Sequence, residues 1–225
     1  MTAYPDDVHD RFGLYVASFP KRSPVFYSRT GKRILDLILV LVSLPVWLPA
    51  ILLAALAVAC DGHSPFYCQP RVGRGGRVFR MWKLRSMVPG ADALLERHLT
   101  RNPAARAEWN ANQKLRDDPR ITWIGRFLRK TSLDELPQVI NVLTGEMSLV
   151  GPRPMLPAQQ VLYPGSRYYA LRPGLTGFWQ ISDRNQCRFR ERARFDDAYW
   201  MAQSLRTDAS VMMRTVAVVL RGTGY

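Results

Sequence analysis

ILDLILVLVSLPVWLPAILLAALAVAC spans residues 34 to 60, and after Asp36 it carries no charge for 24 residues. Twenty-four helical residues at ~1.5 Å each extend ~36 Å, enough to cross a hydrocarbon layer of ~30 Å. Two features argue instead for a segment that enters and returns. Pro45 and Pro49 each remove a backbone donor and favour a kink, and the Ser43 hydroxyl stands ready for a freed carbonyl, so each half is too short to span alone. The flanks are also basic on both sides, with Lys21, Arg22, Arg29, Lys32 and Arg33 before the run and Arg71, Arg74, Arg77 and Arg80 after it. Lys and Arg stay cytoplasmic, so both ends are expected on one face, as a re-entrant hairpin. A straight span and a buried core helix are the alternatives. The hairpin reading divides the chain into an N-terminal cytoplasmic segment 1–30, a re-entrant membrane helix 31–60 and a cytoplasmic domain 61–225.

A chain of 225 residues with 47% hydrophobic content has room for one packed domain plus an anchoring segment, which excludes disorder throughout. Its 32 Lys and Arg against 18 Asp and Glu give a formal net charge of +14. That balance points to an anionic partner: nucleic acid, a phosphate-rich substrate or an acidic membrane surface. Composition does not choose among them. Cys60, Cys68 and Cys187 are too few and too scattered for a disulfide framework or a metal site and are expected to be reduced. The opening MTAYPDDVHDR is acidic where a secretory signal is basic and then apolar, so no cleaved leader is expected.

Beyond the apolar run, SPFYCQPRVGRGGRVFRMWKLRSM (64–87) sets Gly75-Gly76 between runs of aromatic and β-branched residues and predicts a β-hairpin closed by a two-residue turn. Its cations from Arg71 to Arg85 read mostly as a solvated surface, with Lys83 and Arg85 kept as candidates. Residues 90–115 are helix-prone and polar, broken at Asn102-Pro103. DDPRITWIGRFLRKTS (117–132) spaces Ile121, Ile124, Phe127 and Leu128 as an amphipathic helix, with Arg120, Arg126, Arg129 and Lys130 between them. With Trp123 it suits a membrane surface or a helix packed on the core. LRPGLTGFWQISDRN (171–185) reads as a loop, residues 190–220 as one or two amphipathic helices, and RGTGY as a stop. The fold class expected is α+β: a membrane-embedded re-entrant helical hairpin joined to a mostly helical cytoplasmic domain containing a small β-hairpin or sheet.

Chemistry concentrates in KTSLDELPQVINVLTGEMSLVGPRP (130–154), which sets Asp134 and Glu135 side by side in this basic chain. Ser132-Leu133-Asp134-Glu135 fits a capping box, with the pair in the first turn of a helix through Val139, Ile140 and Leu143. There the helix dipole is expected to keep both carboxylates ionised. Pro137 complicates that placement, and on its own the pair reads as a cap and a solvated acid. The neighbourhood argues for more. Gly151, Pro152 and Pro154 fix the backbone around Arg153, whose planar fork suits phosphate. Two acids can hold Mg²⁺, cations plus Mg²⁺ can hold a pyrophosphate, and such a site polarises phosphorus and leaves one carboxylate to attack it.

These residues resemble the bacterial sugar transferases, the monotopic polyprenyl-phosphate phosphoglycosyl transferases that begin exopolysaccharide and O-antigen repeat units. The resemblance runs from Lys32 onward, through KRILD (32–36), SPFYCQPRVGRGGRVFRMWKLRSM, SLDELPQVINVLTGEMSLVGPRP, LRPGLTGFWQIS and Asp196-x-x-Tyr199 followed by Ser204, Leu205 and Asp208. It implies transfer of a hexose 1-phosphate, galactose or glucose, from a UDP-sugar to undecaprenyl phosphate with release of UMP and a requirement for Mg²⁺. By the same resemblance Asp134 stands at the family nucleophile, which forms an aspartyl-phosphosugar, and Glu135 at its metal-associated partner. Lys83, Arg129 and Arg153 match positions implicated in phosphate binding, with Arg85 a fourth. The usual Ser-Pro break of the membrane helix appears as Ser43-Leu44-Pro45, which leaves the role of Ser43 open. The resemblance places 61–225 as the catalytic domain on the cytoplasmic face of the bacterial inner membrane, against its phospholipid. No specific nucleic acid is implied, and a homo-oligomer stays open.

Two other classes account for part of the pattern. A membrane-tethered nucleic-acid-binding protein explains the charge and the aromatics but calls for a basic stripe or stacking sheet, of which no recognisable motif is present. A noncatalytic assembly scaffold explains the anchor, although a scaffold has no need of the acidic pair.

Overall fold

The structure, a computed structural model, describes residues 27–60, 62–112, 115–182 and 189–220. Most of the 1–30 segment, Cys187 and the closing RGTGY lie outside the described residues. The apolar run forms helices α1 (Lys32–Val42) and α2 (Leu44–Ala59). No single described helix is long and apolar enough to cross a membrane, whereas this pair passes that test together and is bent by 63° at Ser43. The local cause is Pro45, which sits in the first turn of α2 and cannot extend the hydrogen-bonding of α1. Ser43 Oγ donates to the Leu39 carbonyl at 2.6 Å and Trp47 Nε1 donates to Val40 O at 2.9 Å, so side chains serve the carbonyls at the break. Pro49 lies inside α2 and makes no second break.

One face of the bent pair is core. Val40 and Ile51 pack with Phe79, Met81, Val139, Val142 and Met147, and Ala55 and Val58 pack with Leu84 and Leu128. The opposite face is apolar and bare: Val42, Val46, Leu53 and Leu56 are each about 70% exposed. The pair is therefore not wholly buried in the core, and its outer face is a run of exposed apolar side chains of the kind that marks an interaction surface.

Strands β1 (Phe66–Val72) and β2 (Val78–Leu84) form the antiparallel hairpin, in the register Tyr67↔Lys83, Arg71↔Phe79 and Val72↔Val78. The turn is longer than the two residues expected. Gly73 N–H donates to Arg77 O at 2.7 Å, and Arg74–Gly76 form a 3₁₀ turn with Gly75 and Gly76 at φ of 70° and 77°. The consequence is large, because adding one residue of register turns every side chain to the other face. A two-residue turn would pair Arg71 with Arg80 and put Arg71 and Lys83 on opposite faces; the observed register puts them on one.

Helices α3 (Ala91–Arg101) and α4 (Pro103–Asn112) meet at the expected break and share a small core of Leu95, Leu99 and Ala105. Helix α5 (Trp123–Thr131) packs on the core through Leu128, while Trp123 and Phe127 face outward. Of its neighbouring cations, Arg120 is buried in a bidentate pair with Asp118. A 3₁₀ turn, Leu133–Gln138, leads into α6 (Val139–Thr144). Strands β3 (Ser148–Val150) and β4 (Gly174–Thr176) pair in parallel, so part of the stretch read as a loop is a strand, followed by the short helix α7 (Phe178–Ile181). Helices α8 (Arg192–Ala202) and α9 (Leu205–Leu220) close the domain over a core containing Val150, Phe178, Tyr199 and Val211.

Polar side chains bind α1 to this domain. Lys32 Nζ donates to Asp208 Oδ2 at 2.6 Å, Arg33 donates to the Val142 and Leu143 carbonyls at the end of α6, and Asp36 accepts from Ser148 Oγ at 2.8 Å and Leu149 N–H at 3.2 Å. KRILD is thus the joint between the apolar helices and the rest. Asp208 also accepts from Tyr27 Oη at 2.6 Å and Tyr199 Oη at 2.7 Å, which accounts for the Tyr199 and Asp208 spacing. Ser204 Oγ accepts from Thr207 N–H as the cap of α9.

Candidate active site

The acidic pair sits at the start of the 3₁₀ turn, and the way the chain enters that turn differs from the expected capping box. Ser132 adopts a left-handed conformation (φ 57°, ψ 18°) and its side chain makes no capping bond. It instead terminates α5, its N–H donating to the Arg129 and Leu128 carbonyls. A residue closing one helix in this geometry cannot also serve as the extended cap of the next. Pro137, lacking an N–H, keeps the following turn 3₁₀ until Val139. A strained non-glycine residue two positions before Asp134 is the kind of backbone cost that persists where the surroundings over-determine it.

Four elements deliver cations to the pair. From β2, Lys83 Nζ lies 2.8 Å from Glu135 Oε1 and 3.9 Å from Asp134 Oδ2. Asn141 holds that strand in place: its Oδ1 accepts from Trp82 N–H at 3.0 Å and its Nδ2 donates to Arg80 O at 2.8 Å, across the outer edge of β2. From α5, Arg129 Nε donates to Ser86 Oγ at 2.9 Å. Gly125 permits this, since a Cβ there would come within 2.0 Å of Ser86 O. From the loop after β3, an Arg153 terminal nitrogen lies 3.5 Å from the same Glu135 Oε1, with its guanidinium 5.4 Å from the centre of the Trp179 ring. Gly151 N–H donates to Thr176 O at 2.8 Å, and a Cβ on Gly151 would meet Arg172 O at 2.3 Å, so only glycine lets this loop lie along β4.

The fourth contributor, Arg71 of β1, was read as solvated and is instead largely buried. It donates to Pro154 O at 3.3 Å and to Gln69 Oε1 at 2.5 Å, while its Nε has no hydrogen-bond partner among the described residues. Burial first, then the positive charge of Arg153, lowers its guanidinium to about 10, with Glu135 acting in the opposite direction. Its arrival follows from the hairpin register, the one signal that would have found it. Arg192 of α8 was also missed, and it stacks 4.3 Å from the centre of the Trp179 ring beside Arg153. Arg85, a fourth phosphate candidate in the sequence, points its guanidinium at the Ser64, Met87 and Val58 carbonyls and joins β2 to the end of α2.

Asp134 is buried, and burial pushes its carboxyl up to about 6 against the opposing pull of Lys83, with Glu135 adding to the rise. Desolvation therefore outweighs the helix-end effect expected from the sequence. The group is thereby more basic than a surface aspartate. Burial likewise holds the Arg129 guanidinium below the usual arginine value, with Asp134 as the leading opposing charge. Among the described residues no cluster of three or more His, Cys, Asp and Glu forms a metal site. Two adjacent carboxylates are hard oxygen donors that fit Mg²⁺ completing its shell with water and substrate phosphate, rather than a dedicated protein cage.

The model of the bacterial sugar transferase family matches residues 27–222. The chain is 47% identical over 199 residues to a UDP-galactose-lipid carrier transferase of Erwinia amylovora and 43% identical over 199 residues to an undecaprenyl-phosphate galactose phosphotransferase of Salmonella typhimurium. Each alignment covers 88% of this chain and 42% of the relative. It is 42% identical over 197 residues to exopolysaccharide production protein ExoY of Rhizobium meliloti, covering 86% of this chain and 87% of that one. The chain thus spans less than half the length of the first two relatives and most of the third.

Proposed function

We propose the following reaction for this chain, which belongs to the bacterial sugar transferase family: transfer of a hexose 1-phosphate, galactose or glucose, from a UDP-sugar to undecaprenyl phosphate, opening exopolysaccharide synthesis. The observation that carries it is the excess of cations over carboxylates around a buried aspartate. Lys83 and Arg153 converge on one oxygen of Glu135, with Arg129 and Arg71 behind them. Such a site is poised to exchange part of its internal ion pairing for the oxygens of a diphosphate. The names of the relatives supply the sugar donor and the lipid acceptor.

An Asp134 oxygen attacks the sugar-bearing phosphorus of the donor, the bond from that phosphorus to the bridging oxygen breaks, and the bridging oxygen leaves with UMP. An oxygen of undecaprenyl phosphate then attacks the phosphorus of the aspartyl-phosphosugar. The acyl-phosphate P–O bond breaks, which regenerates the Asp134 carboxylate and yields the lipid diphosphosugar. Arg153 and Lys83 hold the phosphate oxygens through both steps, and Arg129 limits the cost of the buried charge. Mg²⁺ held by Asp134 and Glu135 would supply further charge neutralisation at the diphosphate. The bent α1–α2 pair enters and returns from the cytoplasmic face of the inner membrane, its bare face against phospholipid, and the outward Trp123 and Phe127 of α5 rest on the same surface.

Enzyme, Mg²⁺ and sugar-labelled UDP-sugar without acceptor test the covalent step. One equivalent of label should become protein-bound, and peptide mass spectrometry should place it on Asp134. Product formation without any adduct, with intersecting initial-rate patterns, would make transfer direct and Asp134 a base or metal ligand.

A further inference from the structure

A second basic site lies away from the acidic pair. Between the start of α1, the β1–β2 turn and α8 is a pocket of about 420 Å³ whose walls include Arg29, Lys32, Arg74, Arg172 and Trp200. It shares no residue with the Asp134 cluster, and no Asp or Glu lines it. The charge of Lys32 is offset by Asp208 at 2.6 Å. Among the described residues, no carboxylate pairs with Arg29, Arg74 or Arg172. Arg172 donates its Nε to Gly145 O at 2.9 Å. Burial, and then the positive charges of Arg74 and Arg33, hold the Arg172 guanidinium below its usual value, with Asp36 acting in the opposite direction. Three arginines lining a ligand-sized pocket, none of them in an ion pair among the described residues, create a positive field that Asp36 behind the wall offsets only in part and that an anion relieves. Their planar forks match the oxygens of phosphate better than those of a diffuse anion.

We propose that this pocket is a phosphate-binding site distinct from the transfer centre, taking a phosphate group carried by an acidic lipid headgroup or by a free polyphosphate. Lys32 and Ile34 are about 200° apart around α1, so the pocket opens on the side of that helix away from the bare apolar face, which Ile34 begins at 49% exposure. The site does not depend on the chemistry assigned to Asp134.

The test is calorimetric titration of the full chain in neutral detergent with short-chain phosphatidylglycerol, with inorganic pyrophosphate, and with diacylglycerol as the phosphate-free control. Arg29 and Arg74 are exposed and take part in no hydrogen bond among the described residues, so Arg29→Ala/Arg74→Ala should fold with an unchanged melting temperature. Removing two phosphate-binding cations should weaken binding at least about tenfold. Arg153→Ala should leave it within about twofold, and single Arg74→Glu should weaken it on its own. Binding of phosphatidylglycerol but not pyrophosphate, weakened by the double variant, identifies the headgroup as the source. Because the transfer centre also suits a diphosphate, pyrophosphate supports the pocket as a free-anion site only where its binding persists in Arg153→Ala and is weakened by adding Arg29→Ala/Arg74→Ala. The proposal is overturned if neither phosphate binds, if diacylglycerol binds equally well, if the double variant binds like the wild type, or if Arg153→Ala removes the binding.

Discussion

Asp208 and Asp134 are both buried carboxylates beside a lysine, and their surroundings are opposite in kind. Asp208 accepts three short bonds, from Lys32, Tyr27 and Tyr199, all within 2.7 Å, and one charge meets one charge. Asp134 has its lysine at 3.9 Å, a second carboxylate beside it, and arginines from two other elements acting on it. A closed network of the first type fixes structure, because every group in it loses a partner if anything moves. The second is over-supplied with cations and loosely joined, which is what a site must be if phosphate oxygens are to enter it.

The contrast is broken most severely at its reactive end. Asp134→Asn removes the anion and keeps the shape, so turnover should fall about ten-thousand-fold while the melting temperature stays close to that of the wild type. A parallel loss of stability would mean that Asp134 is structural like Asp208. The reciprocal change, Asp208→Ala, leaves Lys32 buried without its partner and should cost about 3 kcal/mol of stability in thermal unfolding. The protein that remains folded should retain near-normal turnover. Arg153→Lys sharpens the distinction, since it keeps the charge but loses the fork. Turnover should drop about tenfold with no change in melting temperature, and unaltered kinetics would reduce Arg153 to a brace for its loop.

A third buried carboxylate lies between the two types. Asp196 has one short donor, Tyr163 Oη at 2.5 Å, and burial raises it from 3.8 to about 7. The unfolded chain gives up this proton near pH 4 and the folded chain keeps it to about pH 7, so over that window the native state binds more protons. Stability contributed here is present below pH 4 and lost as pH rises through 7. Denaturant midpoints measured from pH 4 to 8 should fall in the wild type and fall less in Asp196→Asn. The smallest effect belongs to Ser132. Gly is expected to be neutral at its left-handed backbone, whereas Val should lose about 1 kcal/mol in the same measurement.

What was legible in the sequence shares a property with what was not. The acidic pair, the rigid Arg153 loop, the broken apolar run and the hairpin are all local, each read within about 25 residues. Arg71 was misread because its face depends on a turn whose length two glycines do not determine. Asn141 and Trp47 act on backbone groups exposed by events elsewhere, an unpaired strand edge and a proline break, so nothing in their own neighbourhoods marks them. The expected capping box failed for a related reason: Ser132 belongs to the helix before it as well as to the turn after it.

The joint between α1 and the domain has a mechanical meaning. Lys32, Arg33 and Asp36 grip three separate elements within five residues, so α1 cannot roll or slide without releasing all of them. In the bilayer arrangement proposed above, the stretch from Asp36 to Ser43 then works as a ruler, setting how high the Asp134 carboxylate stands over the lipid surface from which its acceptor phosphate projects. One residue inserted there lengthens the ruler by ~1.5 Å and swings everything beyond it by ~100°. Chain length in this short span is thus a parameter of reach, set apart from any side chain that touches substrate.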